Sequence, residues 1–409
     1  MITRPEILMD EFDYVLPNTR IAEYPLPERD SSKLLCYKKG EISTSTFKNL
    51  AQLLPENSSL IFNNTRVIEA RILFQKNTGG IIEVFCLEPD ELFIDITDEL
   101  KVQQCTRWKC YIGGASKWKH GEILKKELDI NGSIVFLEAR FICKNTDSFT
   151  IEFSWNPPIF HFADIMHAAG AIPLPPYIKR KPITSDSERY QTIFAESKGS
   201  VAAPTAALHF TKEVFDDLKK NNIAVEYVTL HVGAGTFKPV KTNSIEEHQM
   251  HAEHFHVSLS TLNKLTGNKE LVAVGTTSLR TLESLYWIGV KILQGLYKNG
   301  EELNLEQWEA YELENKHISY KESISAIINF LNQGNSETAF CRTSLLIVPG
   351  YKFYSAKGLI TNFHQPRSTL LLLVAAFIGD DWKAVYDYAL QNNFRFLSYG
   401  DSSLLWRKK

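Results

Sequence analysis

The sequence predicts an α/β protein, a mixed or parallel sheet with helices, interrupted by a small antiparallel domain. Three observations carry this. Helix-to-strand grammar recurs in the second half, as FTKEVFDDLKKNN followed by IAVEYVTL, and a helix followed by a strand is half of a βαβ unit. Between about Ala70 and Trp155 the texture changes to short alternating runs such as ARILF, GGIIEVFCLE, RWKCYIG, GSIVFLEARFI and SFTIEFSW. Runs of this spacing, parted by Gly, Asn and Asp turns, suit a small antiparallel barrel or sandwich. Finally, 409 residues exceed the usual size of one hydrophobic core, so two domains are expected.

In chain order, FDYVLPNTRIAEYPLPERDSSKLLCY is an irregular entry, with prolines and arginines at turn positions, that yields a short strand at Lys33 to Tyr37. Phe47 to Leu54 reads as a short helix and Ser59 to Asn63 as a buried strand, which leaves Asn63, Asn64, Thr65 and Arg66 at a strand end. After Asn156-Pro157-Pro158 the α/β texture returns, with Thr211 as a helix N-cap and an acidic-to-basic gradient along the helix it starts. In LVAVGTTSLRTLESL, strand 271–274 meets Gly275 and the turn Thr276-Thr277-Ser278 before a helix. In parallel sheets such strand-end turns line the ligand crevice, and the helix start offers unpaired N–H groups to an anion. Ile324 to Leu331 reads as an amphipathic helix closed by Gly334, and the apolar run Thr369 to Ile378 as a buried helix too short to span a bilayer.

A formal net charge of −3 excludes a chain that is basic throughout, though a local basic patch can still carry phosphate contacts. The six cysteines form no C-x-x-C pair, which argues against a disulfide framework and a zinc ribbon and for thiols in a reducing cytoplasm. The N-terminus carries acidic residues and a proline where a signal peptide needs an apolar core.

Several local motifs fall short of a known chemistry. Gly233 and Gly235, in VTLHVGAGTFKPV, lack the third glycine and the helix of a dinucleotide fingerprint. His248, His251, His254 and His256 are spaced three, three and two apart, unlike the i, i+4 pair of a zinc helix, so no metal is expected. Ser200 lacks the G-x-S-x-G context of a nucleophile elbow. Pro204, Thr205 and the neighbouring alanines suggest backbone packed closely against something flat, with His209 just before a helix start. Arg367 stands near the start of the apolar helix, where it opposes the helix dipole, and this marks it for a ligand-facing role.

Together these strings resemble the S-adenosylmethionine:tRNA ribosyltransferase-isomerase family of queuosine biosynthesis. The resemblance covers nearly the whole chain through FDYVLPNTRIAEYPLPERDSSKLL, LIFNNTRVIEARI, IPLPPYIKR, ERYQTIFA, GSVAAPTAALHFT, VTLHVGAGTFKPV, HQMHAE, VAVGTTSLRTLES, PGYKF, LITNFHQPRSTLLLLVAAFIG and RFLSYGDSSLL, in that order. It implies one α/β domain of residues 1–69 and 156–409, interrupted by a β-barrel over 70–155. It also implies S-adenosylmethionine as co-substrate and the tRNA anticodon wobble position as the target, in the cytoplasm. This chain departs from the family pattern at Ser344, which stands for an acidic residue, at Ala207 for a glycine, at His254 and His256, and in a longer segment over 288–341.

Such chemistry requires a base for a ribose C5′ proton, an acid facing the departing adenine and a neutral amine, and histidine titrates in the range needed. The candidates are His209, His231 and His364, with Asp401 or Glu253 as a carboxylate that orients one of them. His209, His231, Thr276 and His364 are expected to line one cleft. Gly233 and Gly235 would let a substrate lie against the strand end, beside Thr205 and Gly275. Thr276, Thr277 and Ser278 would hold the methionine carboxylate. Arg66, Lys179, Arg180, Arg189, Lys238 and Arg367 are candidates for tRNA phosphates, and Tyr177 or Tyr190 for stacking on an unpaired base. Two other readings fit the departures: a paralogue that uses S-adenosylmethionine on another acceptor, or a non-catalytic RNA-binding module of the same fold.

Overall fold

The computed structural model describes residues 5–90, 96–119, 121–233, 240, 242–267, 269–297, 301–313 and 317–408. Four strands, Ala224–Leu230, Ser58–Asn63, Glu270–Val274 and Gly358–Asn362, run parallel at the centre of a ten-stranded mixed sheet. Side chains alternate across such a sheet, and both faces are used. Leu60 and Phe62 join Phe210, Val214 and Leu218 in one apolar cluster. Ile61 joins the cluster formed with helices Thr276–Leu293 and Thr369–Ile378.

The predicted elements fall close to their places: the first strand spans Lys33–Lys38, and Thr211 Oγ1 accepts a bond from Val214 N at 3.3 Å as the cap of helix Lys212–Lys220. The apolar run forms helix Thr369–Ile378, with most of its side chains buried. Among the described residues no helix is long and apolar enough to cross a membrane. All six cysteines are free thiols.

The segment over 288–341 is built into the sheet. It completes helix Thr276–Leu293, supplies strand Leu303–Leu305, helix Tyr320–Gln333 and strand Thr338–Thr343, and extends one sheet edge. Helices Thr276–Leu293 and Tyr320–Gln333 meet where Gly289 leaves room, since a Cβ there would stand 2.2 Å from Ser323 O. Ser344 hydrogen-bonds to Glu306 of this segment through its hydroxyl, at 3.5 Å.

A second, seven-stranded sheet, antiparallel throughout, is formed from Arg71–Gln75, Ile81–Pro89, Cys105–Gly113, Phe149–Asn156, Ser133–Lys144, Ile123–Ile130 and the short Gly170–Ala171. Its two edge strands, Gly170–Ala171 and Ile123–Ile130, are not paired with each other. The Lys126 ammonium spans that side instead, donating to Leu73 O at 3.1 Å and Ala169 O at 2.8 Å. Helix Phe162–Ala169 fills the concave face, with the Phe162 ring 5.4 Å from Trp108 and 5.6 Å from Trp155. The apolar core of this sheet therefore continues past residue 155, through Phe162, Ile165, Met166 and Ala169. Strand Thr65–Val67, entering the curled sheet, pairs in parallel with strand Ser197–Ser200 on the far side of it in sequence.

Candidate active site

The four parallel strands end together, and the chain leaving three of them lines the site, through Val232, Gly275 and Phe363. Asn63 ties two strand ends: its Nδ2 donates to Leu230 O at 2.9 Å, and its Oδ1 accepts from Leu230 N at 3.1 Å. After Val274 the chain turns at Gly275, whose φ of 91° is costly for any residue with a Cβ, and enters helix Thr276–Leu293. After Asn362 come Phe363 and His364. Between these ends lies a cleft of about 690 Å³, whose polar lining includes Thr205, Thr276, Thr277, Thr361, Asn362 and His364.

Asn362 is the hub of the cleft. Its Oδ1 accepts from Thr205 Oγ1 at 2.9 Å, and its Nδ2 faces His209 Nε2 at 3.4 Å. An amide nitrogen can only donate, so Nε2 of His209 accepts and the ring proton sits on Nδ1. There it faces Ser32 Oγ at 3.0 Å and Arg29 O at 3.4 Å. Burial lowers the His209 pKa to about 4. His364 Nε2 lies 2.9 Å from Thr361 Oγ1, its backbone N donates to Tyr386 Oη at 3.0 Å, and its carbonyl accepts from Tyr14 Oη. Burial lowers the His364 pKa to about 3. Both imidazoles are neutral near pH 7, and each offers a lone pair rather than a charge.

The structure brings together some of the residues singled out in the sequence and separates others. Thr276 and His364 line the cleft, and His209 reaches it through Asn362. His231 does not line it. Just past the strand end Val232 lines the cleft, while the His231 ring lies against Gly199, where an added Cβ would stand 3.1 Å from Nδ1, and 6.0 Å from the His256 ring. Asp401 does not orient a histidine: its oxygens accept from Lys33 N at 3.0 Å and Arg395 N at 2.7 Å, tying the entry strand to the last turn. Ser278 spends its hydroxyl on Val274 O at 2.8 Å, whereas the Thr277 hydroxyl has no hydrogen-bond partner among the described residues. Ser200 is a loop hydroxyl bonded to Ala202 O at 2.7 Å.

Of the residues expected at tRNA, Arg66 and Lys179 are exposed. Tyr177 lines the cleft, with Oη 2.6 Å from Ser398 Oγ. Tyr190 is fully buried, its ring edge-on to Tyr399, so the expected stacking on a base is corrected to a core contact. Arg180 is held by Asp186 through two bonds of 2.6 and 2.7 Å, and Arg189 clamps the entry segment through Pro27 O and Leu26 O. Those guanidiniums serve the fold. Arg367 precedes the cap Ser368, so it stands outside the helix, and it pairs with Asp10. Gly235 and Lys238 lie outside the described residues. Among the described residues no three His, Cys, Asp or Glu side chains are grouped to hold a metal ion.

A cleft at the carboxyl ends of parallel strands, lined by hydroxyls, an amide and a neutral imidazole, defines a small-molecule site of the α/β class. Residues 9–405 match the family described as queuosine biosynthesis protein, and the chain belongs to that family. The S-adenosylmethionine:tRNA ribosyltransferase-isomerase of Halothermothrix orenii is 35% identical over 97% of this chain and 99% of its own length. The protein of the same name from Nitrosomonas eutropha is 36% identical over 97% of both chains. A solved S-adenosylmethionine tRNA ribosyltransferase from Thermotoga maritima is 26% identical over 97% of this chain and 99% of that one, with a TM-score of 0.45.

Proposed function

We propose that this chain transfers and isomerises the ribosyl moiety of S-adenosylmethionine onto 7-aminomethyl-7-deazaguanine at the wobble position of a tRNA anticodon, acting in the cytoplasm. The product is epoxyqueuosine in tRNA, and adenine and methionine leave. The assignment to an S-adenosylmethionine:tRNA ribosyltransferase-isomerase rests on the family and its full-length relatives. The observation that supports the site is the Asn362 hub, which joins Thr205 and His209 at the wall that His364 lines.

The sulfonium acidifies the ribose C5′ hydrogens, and one must be removed by a positioned base. His364 is the histidine of the three that lines the cleft; burial keeps its ring neutral but also lowers its basicity, so in this reading the bound co-substrate raises its pKa for the proton transfer. His209 acts through Asn362 as a positioning residue. The start of helix Thr276–Leu293 presents backbone N–H groups to the same space, which suits the polar parts of the co-substrate. In this reading the α/β domain is interrupted by the curled antiparallel sheet, which carries part of the tRNA surface together with Arg66 and Lys179.

Incubation with S-adenosylmethionine and tRNA carrying the deazaguanine precursor should release adenine and yield epoxyqueuosine by nucleoside mass spectrometry. Adenine without the modified nucleoside would point to another acceptor. Bound tRNA with neither product would point to a non-catalytic RNA-binding module.

A further inference from the structure

A second cavity, of about 740 Å³, adjoins the cleft. Leu370 lines both, and the two are flanked by consecutive residues: Val232 and Ser368 face the cleft, Gly233 and Thr369 the cavity. Thr276 and Arg280 divide in the same way, one helical turn apart, about 5.4 Å along the axis. The cavity wall is largely apolar, with Met250, Leu345, Leu346, Ile347 and Leu373. Into it are set two opposite charges, Arg280 and Glu253, each less than one-tenth exposed.

Their hydrogen bonds leave a specific opening. Arg280 Nη1 meets Glu253 Oε2 at 2.5 Å, and Arg280 Nε donates to Leu345 O at 3.1 Å. Arg280 Nη2 is buried with no hydrogen-bond partner among the described residues. Gly233 N donates to Glu253 Oε1 at 3.3 Å. A buried ion pair is costly to desolvate, and a guanidinium nitrogen left without an acceptor adds to that cost. A ligand carboxylate would offset it.

We infer that the Arg280–Glu253 cavity binds an α-amino acid head and, on the ribosyl-transfer reading above, receives the methionine end of S-adenosylmethionine while the adenosyl end lies in the strand-end cleft. The charge pattern selects this ligand. A lone phosphate would satisfy Arg280 but would be repelled by Glu253, whereas an amino acid brings a carboxylate for the one and an ammonium for the other. The apolar wall suits the two methylenes that join this head to the sulfonium. The methionine carboxylate thereby moves from the Thr276–Ser278 turn, where helix-terminus reasoning put it, to the side chain one turn further on. Ser278, with its hydroxyl already spent on Val274 O, agrees with this.

The test is equilibrium binding of S-adenosylmethionine, L-methionine and 5′-methylthioadenosine to the full chain by titration calorimetry, with Arg280→Lys and Met250→Trp as variants. Methylthioadenosine lacks the amino-acid head and reports on the cleft alone. Arg280→Lys should weaken S-adenosylmethionine and L-methionine at least tenfold and leave methylthioadenosine within twofold. Met250→Trp fills the half-buried wall without touching the ion pair, and should produce the same pattern even if Arg280→Lys fails to fold. Unchanged S-adenosylmethionine affinity in a folded variant, with methylthioadenosine still bound, overturns the inference and leaves ribosyl transfer standing. A wild-type chain that binds neither adenosyl compound overturns both.

Discussion

The carboxyl edge of the mixed sheet and the curled antiparallel sheet treat polar groups in opposite ways. In the curled sheet, charges meet each other near the surface: Arg107 with Glu152 and Lys109 with Glu88, each at 2.9 Å. Exposed pairs of this kind contribute little, on the order of 0 to 1 kcal/mol. At the strand ends, buried Asn362, His364, Thr361 and Arg280 keep polar atoms away from bulk water, where each misplaced atom is expensive. One region exposes paired charges to water, and the other buries polar atoms that a substrate can engage.

The largest effect should follow Asn362→Ala. Adenine release should fall about 100-fold, the scale of losing one positioned hydrogen-bonding group, and Thr205 and His209 would lose a partner. Turnover near the wild-type rate would remove the strand-end cleft from the mechanism.

Acid should separate the two regions next. His209 and His364 have folded pKa values of about 4 and about 3, against 6.5 for the ordinary imidazole. Because these values are lowered, stability is full above pH 6.5. As pH falls from 6.5 toward 4 the unfolded chain takes up protons that the folded one refuses, and the loss levels off below the folded values. Each histidine contributes a slope of about 1.4 kcal/mol per pH unit in that window. Urea unfolding at pH 7.5 and 5.5 should show the loss, to which His248 and His254, also lowered by burial, add in the same direction, and His209→Gln should remove part of it.

Gly289→Ala should destabilise by about 2 kcal/mol through overpacking against Ser323. It should also weaken S-adenosylmethionine binding, since the same helix carries Thr276 and Arg280, and thermal melting with calorimetry reads both. The smallest effect is expected for Lys126→Met, which loosens the open side of the curled sheet by about 1 kcal/mol. Adenine release should stay within twofold, and a large loss would tie the curled sheet to the chemistry.

Periodicity made most of the secondary structure legible. Strand 271–274 followed by Gly275 and a helix is present as Glu270–Val274 and Thr276–Leu293, and the amphipathic run closed by Gly334 is helix Tyr320–Gln333. The extent of the curled sheet's core is harder to read, because Phe162–Ala169 has the pattern of an ordinary helix and only tertiary packing reveals that Phe162 plugs a sheet. Among site residues, His364 and Thr276 were visible because each follows a strand. His231 stood in an equally suggestive position, but alternation alone does not say which neighbour, His231 or Val232, faces the cleft. Residue type does not mark Arg280, since a helical arginine is ordinarily solvated, although its i+4 spacing from Thr276 is a usable signal. Tyr190 and Arg180 misled for the converse reason, as burial and ion pairing cannot be read from residue type.

The position of strand Ser58–Asn63 between Ala224–Leu230 and Glu270–Val274 has a consequence for biogenesis. Emerging from the ribosome, this segment, buried along its whole length in the folded chain, is complete before either neighbour has been translated, whereas the strands of the curled sheet arrive in one local stretch and can collapse first. The nascent chain therefore carries an orphaned, aggregation-prone strand until synthesis passes Leu230, the interval in which a chaperone would be needed most.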